Sequence, residues 1–296
     1  MLRSDKPPLE DTMPDEAESS PADSSGPQED EPTLADVQNQ RDHRLIDIDR
    51  VGVKNLQFPI TVLDREHGVQ HTVADISMAV NLPHHYKGTH MSRFLELLNE
   101  QSEPITVRSI PLLLKQLKER LDAESAHLEI AFPYFLRKKA PVSGSPGMVA
   151  YRCRFLGSAT NRVDIGVQVC VPVTTLCPCS KEIADRGAHN QRGEVKVAVR
   201  FKKMVWIEDL IALVESAASC ELYSVLKRVD EKYVTERAYD HPVFVEDLVR
   251  AVADRLMTDD NITYFSVQAE NHESIHPHDV FAIVERDKRR ASNDSP

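Results

Sequence analysis

Val163, Ile165, Val167, Val169, Val171 and Val173 alternate strictly with Asp164, Gly166, Gln168, Cys170 and Pro172. Val195, Val197, Val199 and Phe201 alternate in the same way with Lys196, Ala198 and Arg200. A period of two puts every second side chain on one face, so both runs read as strands with a single buried face. Ile207, Leu210, Ile211 and Val214 then recur at helical spacing, as do Val245, Leu248, Val249, Val252 and Leu256 after Pro242. Residues 262–271 and 280–285 return to strand character. The first half carries a similar order. Residues 58–63 and 70–80 read as strands, Met91, Phe94, Leu95 and Leu98 as one helical stripe, and Ile110, Leu113, Leu114, Leu117 and Leu121 as a second. Strands over 127–136 and 148–155 flank a Pro/Gly/Ser loop at 141–147. The pattern predicts an α+β fold of two tandem ββααββ modules, each an antiparallel sheet with two helices on one face, joined near residues 157–161. Sheet edges left open in this way are expected to pair between subunits.

Charge separates the chain into unequal parts. Residues 1–40 carry eleven acids against Arg3 and Lys6, a net −9 that leaves only −2 for the rest of the −11 total. Rich in Pro and Ser and poor in aromatics, this stretch lacks the apolar area to offset the entropy of ordering. The expected boundaries are a disordered acidic tail over 1–42, a first module over 43–158, a second over 159–290 carrying most site residues, and a flexible C-terminus over 291–296. A near-neutral body without a basic stripe argues against nucleic-acid binding. No apolar run approaches the roughly 18 residues that would span a membrane, and the N-terminus lacks the pattern of a signal peptide. The five cysteines are odd in number and not spaced as a disulfide framework, which points to reduced thiols and a cytoplasmic protein.

Two clusters carry the candidate chemistry. VTTLCPCSKEIADRGAHNQRG, residues 173–193, sets Cys177 and Cys179 directly after a strand and His189 before the next. NHESIHPHD, residues 271–279, holds His272, Glu273, His276 and His278. Thiolate and neutral imidazole are donors that transition metals take. Glu231 falls in the connection between the helices of the second module, and Glu246 in the first turn of its second helix. All sit at element ends, where binding groups project from a rigid scaffold. Metal-binding cysteines usually stand two to four residues apart. The tighter Cys-Pro-Cys favours Cys179 as a thiol that supports the shell without binding the ion, with a second ligand as the alternative.

These segments, together with KGTHMSRF (87–94), SCELYSVLKR (219–228) and DEKYVTERAYDHPVFVEDLVR (230–250), resemble GTP cyclohydrolase IB of the tunnelling-fold (T-fold) superfamily, through most of residues 45–290. The acidic tail lies outside the likeness. The resemblance implies a homotetramer with active sites at subunit interfaces, and conversion of GTP and water to formate and 7,8-dihydroneopterin triphosphate, the first step toward tetrahydrofolate. It implies one divalent metal per site, manganese, iron or zinc, held by Cys177, Glu231 and His276, with Glu273 a ligand or an immediate neighbour. A divalent ion with an open position lowers the pKa of bound water to about 7, which would furnish the nucleophile for guanine C8. His189 would shuttle protons, since an imidazole titrates near working pH. Glu246 would anchor guanine, and Lys87, His90, Arg93 and Arg192 are candidates for the triphosphate. Two rivals stand beside this reading. A T-fold enzyme of other chemistry, such as a nitrile reductase, would need a nicotinamide and no metal shell. A non-catalytic metal-binding protein would hold metal and leave GTP intact.

Overall fold

The computed structural model describes residues 38, 40, 42–101 and 105–291. The acidic tail expected over 1–42 lies almost wholly outside the described residues, as do 292–296. The first half contains β1 (Ile48–Asp64), β2 (Gly68–Leu82), α1 (Ser92–Asn99), α2 (Ile110–Arg120), β3 (Ala126–Lys139) and β4 (Pro146–Ala159). The second contains β5 (Val163–Leu176), α3 (Pro178–Ile183), β6 (Asn190–Phe201), α4 (Ile207–Ala217), β7 (Cys220–Glu221), α5 (Arg228–Asp240), α6 (Val245–Thr258), β8 (Ile262–His272) and β9 (Val280–Asp287). The ββααββ order therefore holds in both halves, with α3, β7, α5 and the four-residue α7 (Lys288–Ala291) added to the second.

The strands form one antiparallel nine-stranded sheet in the order β1-β2-β3-β4-β5-β6-β8-β9, with the two-residue β7 beside β5. Helices α2, α4 and α6 pack on one face, against β3 and β4, β5, and β8 and β9 respectively. The alternation explains the layering. Val167, Val169, Val171 and Val173 of β5, Val195, Val197 and Val199 of β6, and Phe265, Val267 and Ala269 of β8 are all buried under the helices. Leu113, Leu114 and Leu117 of α2 and Leu248, Val252 and Leu256 of α6 meet them from above. Each such fully buried leucine contributes about 2 kcal/mol relative to an exposed one. Among the described residues, no helix is long and apolar enough to cross a membrane.

Of the added elements, α5 changes the setting of an expected site residue. The connection holding Glu231 is the 13-residue helix α5. Only Asp230 and Ala238 of that helix are buried, so it shows no apolar stripe for a periodicity argument to find. Its N-terminus is fixed by the fully buried Asp230. One carboxylate oxygen accepts from the backbone N–H of Val142 (2.9 Å) and Ser143 (2.8 Å), the other from the Ser143 hydroxyl (2.6 Å) and Lys227 N–H (2.9 Å). Burial raises the pKa of this carboxyl, but the bonds from Ser143, Lys227 and Val142 outweigh burial and hold it well below the usual carboxylate range.

The register decides which residues share an end of the sheet. Leu176 pairs with Asn190 and Arg192 with His272, so β5, β6 and β8 finish or start together. Ala159 pairs with Val163 and Ile48 with Leu82 at the opposite end. The 14 residues of β5 separate the two ends, roughly 45 Å at the rise of a strand.

Candidate active site

The loops at the β5 end enclose a cleft of about 310 Å³. Cys177, His189, Glu246, Glu273, His276 and His278 line it, so six residues named from the sequence come together from four separate segments. Cys177 is the N-cap of α3, with Pro178 at the first helical position, where its missing N–H costs nothing. Its Sγ accepts from the Ser180 N–H at 3.4 Å. Ser180 also ties together the Cys177 and His189 ends of the first cluster. Its hydroxyl donates to the Cys177 carbonyl (3.1 Å) and accepts from the His189 N–H (3.2 Å), while Cys177 N–H donates to the His189 carbonyl at 3.1 Å.

Around the His189 ring the partners are oxygens. Nδ1 lies 3.1 Å from Gln191 Oε1, 3.5 Å from Ser274 Oγ and 3.8 Å from Glu273 Oε2. The Glu273 side chain is 10% exposed, and its Oε2 is buried with no hydrogen-bond partner among the described residues. Oδ1 of the buried Asn271 is likewise unpaired. Gly193 lies opposite Asn271 on β6, and a Cβ there would stand 2.6 Å from that Oδ1. Glycine at 193 thus leaves the Asn271 amide its place at the cleft.

Burial sorts the cysteines. Cys153, Cys170 and Cys220 are buried, and desolvation pushes their thiols up, that of Cys220 to about 11. A thiol must lose its proton to bind metal, which leaves Cys177 and Cys179 as the available donors. Cys177 lines the cleft; Cys179 is exposed and does not.

The remaining expected residues lie elsewhere in the single chain. Glu231 is exposed in the first turn of α5 and is not part of the cleft wall. The far end of α5 is the part that reaches α3, where Lys181 Nζ donates to the Tyr239 carbonyl at 2.5 Å. Glu231 stands about 12 Å back along the helix axis. Lys87, His90 and Arg93 follow β2 and so lie at the opposite end of the sheet, where Lys87 N–H donates to the Gln40 carbonyl at 2.9 Å and Arg93 donates to the Arg120 carbonyl at 3.3 Å. Arg192 pairs with His272, and the pleat turns both away from the helix-covered face that carries Gln191 and Asn271. On that outer face, donor atoms of Glu270, His272 and Asp279 lie within 4.8 Å of one another. His272 and Asp279 are exposed and already form a pair at 3.1 Å, an arrangement surface groups adopt without an ion.

Periodicity applied to polar residues reveals what the search for charged groups misses. Thr175, Gln191 and Asn271 fall in phase with the buried rows of β5, β6 and β8, and all three are buried. A polar side chain in a core phase needs an internal partner; Gln191 and Asn271 line the cleft, and Thr175 lies behind Gln191 and accepts its amide hydrogen bond.

A tandem ββααββ chain, with a thiol, imidazoles and a carboxylate around one cleft at its strand ends, has the fold and the chemical groups of an α+β enzyme. The family follows from comparison with known proteins. A profile described as Type I GTP cyclohydrolase folE2 matches residues 34–282, and the chain belongs to that family. The GTP cyclohydrolase FolE2 of Desulfosudis oleivorans is 57% identical over 253 residues, covering 85% of this chain and 97% of that protein. The GTP cyclohydrolase FolE2 of Syntrophus aciditrophicus is 57% identical over 255 residues, 86% of this chain and 100% of that one. Among solved structures, the urate oxidase of Bacillus sp. TB-90 aligns with a TM-score of 0.49 and 8% identity, over 81% of this chain and 100% of that chain, a likeness too distant to bear on the chemistry.

Proposed function

We infer that this chain is a GTP cyclohydrolase that converts GTP and water to formate and 7,8-dihydroneopterin triphosphate, the first step of tetrahydrofolate biosynthesis. The gathering of Cys177, His189, Glu246, Glu273 and His276 around one cleft is the observation that carries this reading, and family membership agrees with it. The finer assignment to type IB belongs to the same proposal, supported by the Cys-Pro-Cys segment and the NHESIHPHD cluster.

The residues fit a divalent ion by their chemistry. Cys177 and His276 offer soft and borderline donors, and the buried Glu273 oxygen without a hydrogen-bond partner is a carboxylate in want of a cation. Manganese, iron or zinc would suit this mixed set, and when bound would supply the Lewis acidity that activates water at neutral pH. His189 takes a proton from the attacking water and returns one as the imidazole ring of guanine opens. Glu246, in the first turn of α6 on the rim, accepts from guanine N1–H and the exocyclic amino group, a two-point contact adenine cannot repeat.

Glu231, Lys87, His90, Arg93 and Arg192 complete the site in this reading only if neighbouring copies of a homotetramer bring them to it. The sheet face opposite the helices supports such an assembly. It exposes Val73, Phe135, Phe281 and Ile283, the last two on the edge strand β9, and exposed apolar area of this kind marks interfaces. Free thiols among the described residues agree with a cytoplasmic setting.

Metal-stripped protein given GTP, then reconstituted separately with manganese, iron and zinc, is expected to release formate and form a fluorescent pterin only with metal. A folded protein that binds metal yet leaves GTP intact with all three would favour the metal-binding rival. Glu246→Gln is expected to raise KM for GTP about 10- to 100-fold and leave bound metal unchanged. Its preference for GTP over inosine triphosphate, which lacks the amino group, should shrink; an unaltered preference would remove Glu246 from the guanine contact.

A further inference from the structure

We propose that Gln191, itself held by Thr175, is a positioning residue that fixes the His189 imidazole for proton transfer. The inference rests on His189 acting as the proton carrier. Thr175 is fully buried and Gln191 is 7% exposed, and the two are register partners on β5 and β6. Gln191 Nε2 donates to Thr175 Oγ1 at 3.0 Å. With one end of the amide engaged, the other presents Oε1 to His189 Nδ1 at 3.1 Å. Ser274 Oγ and Glu273 Oε2 approach the same nitrogen at 3.5 and 3.8 Å. An amide carbonyl oxygen only accepts hydrogen bonds. Gln191 Oε1, the oxygen nearest Nδ1, therefore assigns the ring hydrogen to it, leaving Nε2 as the nitrogen that takes and returns a proton.

Stability alone gives no reason for this pair. Thr175 continues the row Val169, Val171 and Val173, and Gln191 continues Val195 and Val197. Replacing both partners of a buried hydrogen bond by apolar groups of similar shape can be nearly neutral for stability. The glutamine in this valine row is accounted for by the side chain it orients.

The experiment compares Gln191→Met, Thr175→Val and Thr175→Ser in the metal-loaded enzyme, with and without His189→Ala. Gln191→Met is expected to lower kcat about 10- to 100-fold, the usual cost of losing a group that orients a site histidine, with KM, bound metal and Tm held. Thr175→Val should lose part of that rate, and Thr175→Ser, which keeps the hydroxyl, should restore it. In the His189→Ala background Gln191→Met should cost nothing more, because the ring it orients is gone. An unchanged kcat in Gln191→Met, or an equal further loss on top of His189→Ala, overturns the proposal. If Gln191→Met fails to fold, the two Thr175 variants decide it, equal rates in both overturning it. A wild-type enzyme that releases no formate with any metal would instead bring down the functional reading, and this inference with it.

Discussion

Cys177→Ala is expected to lose bound metal and turnover together while the fold survives. The Cys177 side chain has one internal hydrogen bond, from the Ser180 N–H at 3.4 Å, so its removal costs α3 a weak cap of about 0.5–1 kcal/mol. The remaining thiols cannot replace it. Cys153, Cys170 and Cys220 are buried, with their thiols pushed up by desolvation, and Cys179 is exposed and does not line the cleft. A metal contributes several kcal/mol of transition-state stabilisation, so formate release should fall by at least about a thousandfold. Metal per chain, measured by mass spectrometry beside formate release, checks both halves of the expectation. Cys179→Ala should keep its metal. Stoichiometric metal in Cys177→Ala would sink the assignment of this thiol as a ligand.

His189→Ala is expected to behave differently, with metal and GTP still bound and formate release lowered by about 10²–10⁴, the range for loss of a general acid–base group. Its ring nitrogen stands among Gln191, Ser274 and Glu273 oxygens, an environment that orients an imidazole. Equilibrium GTP binding, metal content and single-turnover formate release separate the possibilities. Loss of metal in this variant would make His189 a ligand and leave the proton carrier to be sought elsewhere.

Strands and helices with one clear apolar face were legible in the sequence because burial imposes a period. β5, β6, α4 and α6 all follow the rows of Val, Ile and Leu that predict them. α5 was not legible, because its support comes from Asp230 reaching the β3–β4 turn and not from an apolar stripe. In the site, residue chemistry pointed to Cys177, His189, Glu246, Glu273 and His276, which share the cleft. The same chemistry could not tell that Lys87, His90 and Arg93 follow the far end of β2, since order along the chain carries no sheet geometry. Nor could it weigh Thr175, Gln191 and Asn271. They are uncharged and chemically mild, and only their place in a core phase marks them.

That shared phase ties the evolution of the site to the evolution of the fold. Val173 and Thr175, Val195 and Gln191, and Ala269 and Asn271 lie on common faces of β5, β6 and β8. A single inserted or deleted residue within any of these strands would turn its valines to solvent and its polar residue away from the cleft in one event. Inserted residues are therefore expected to be tolerated in the turns at 160–162, 202–206 and 259–261, and to lower Tm and activity together when placed inside β5, β6 or β8.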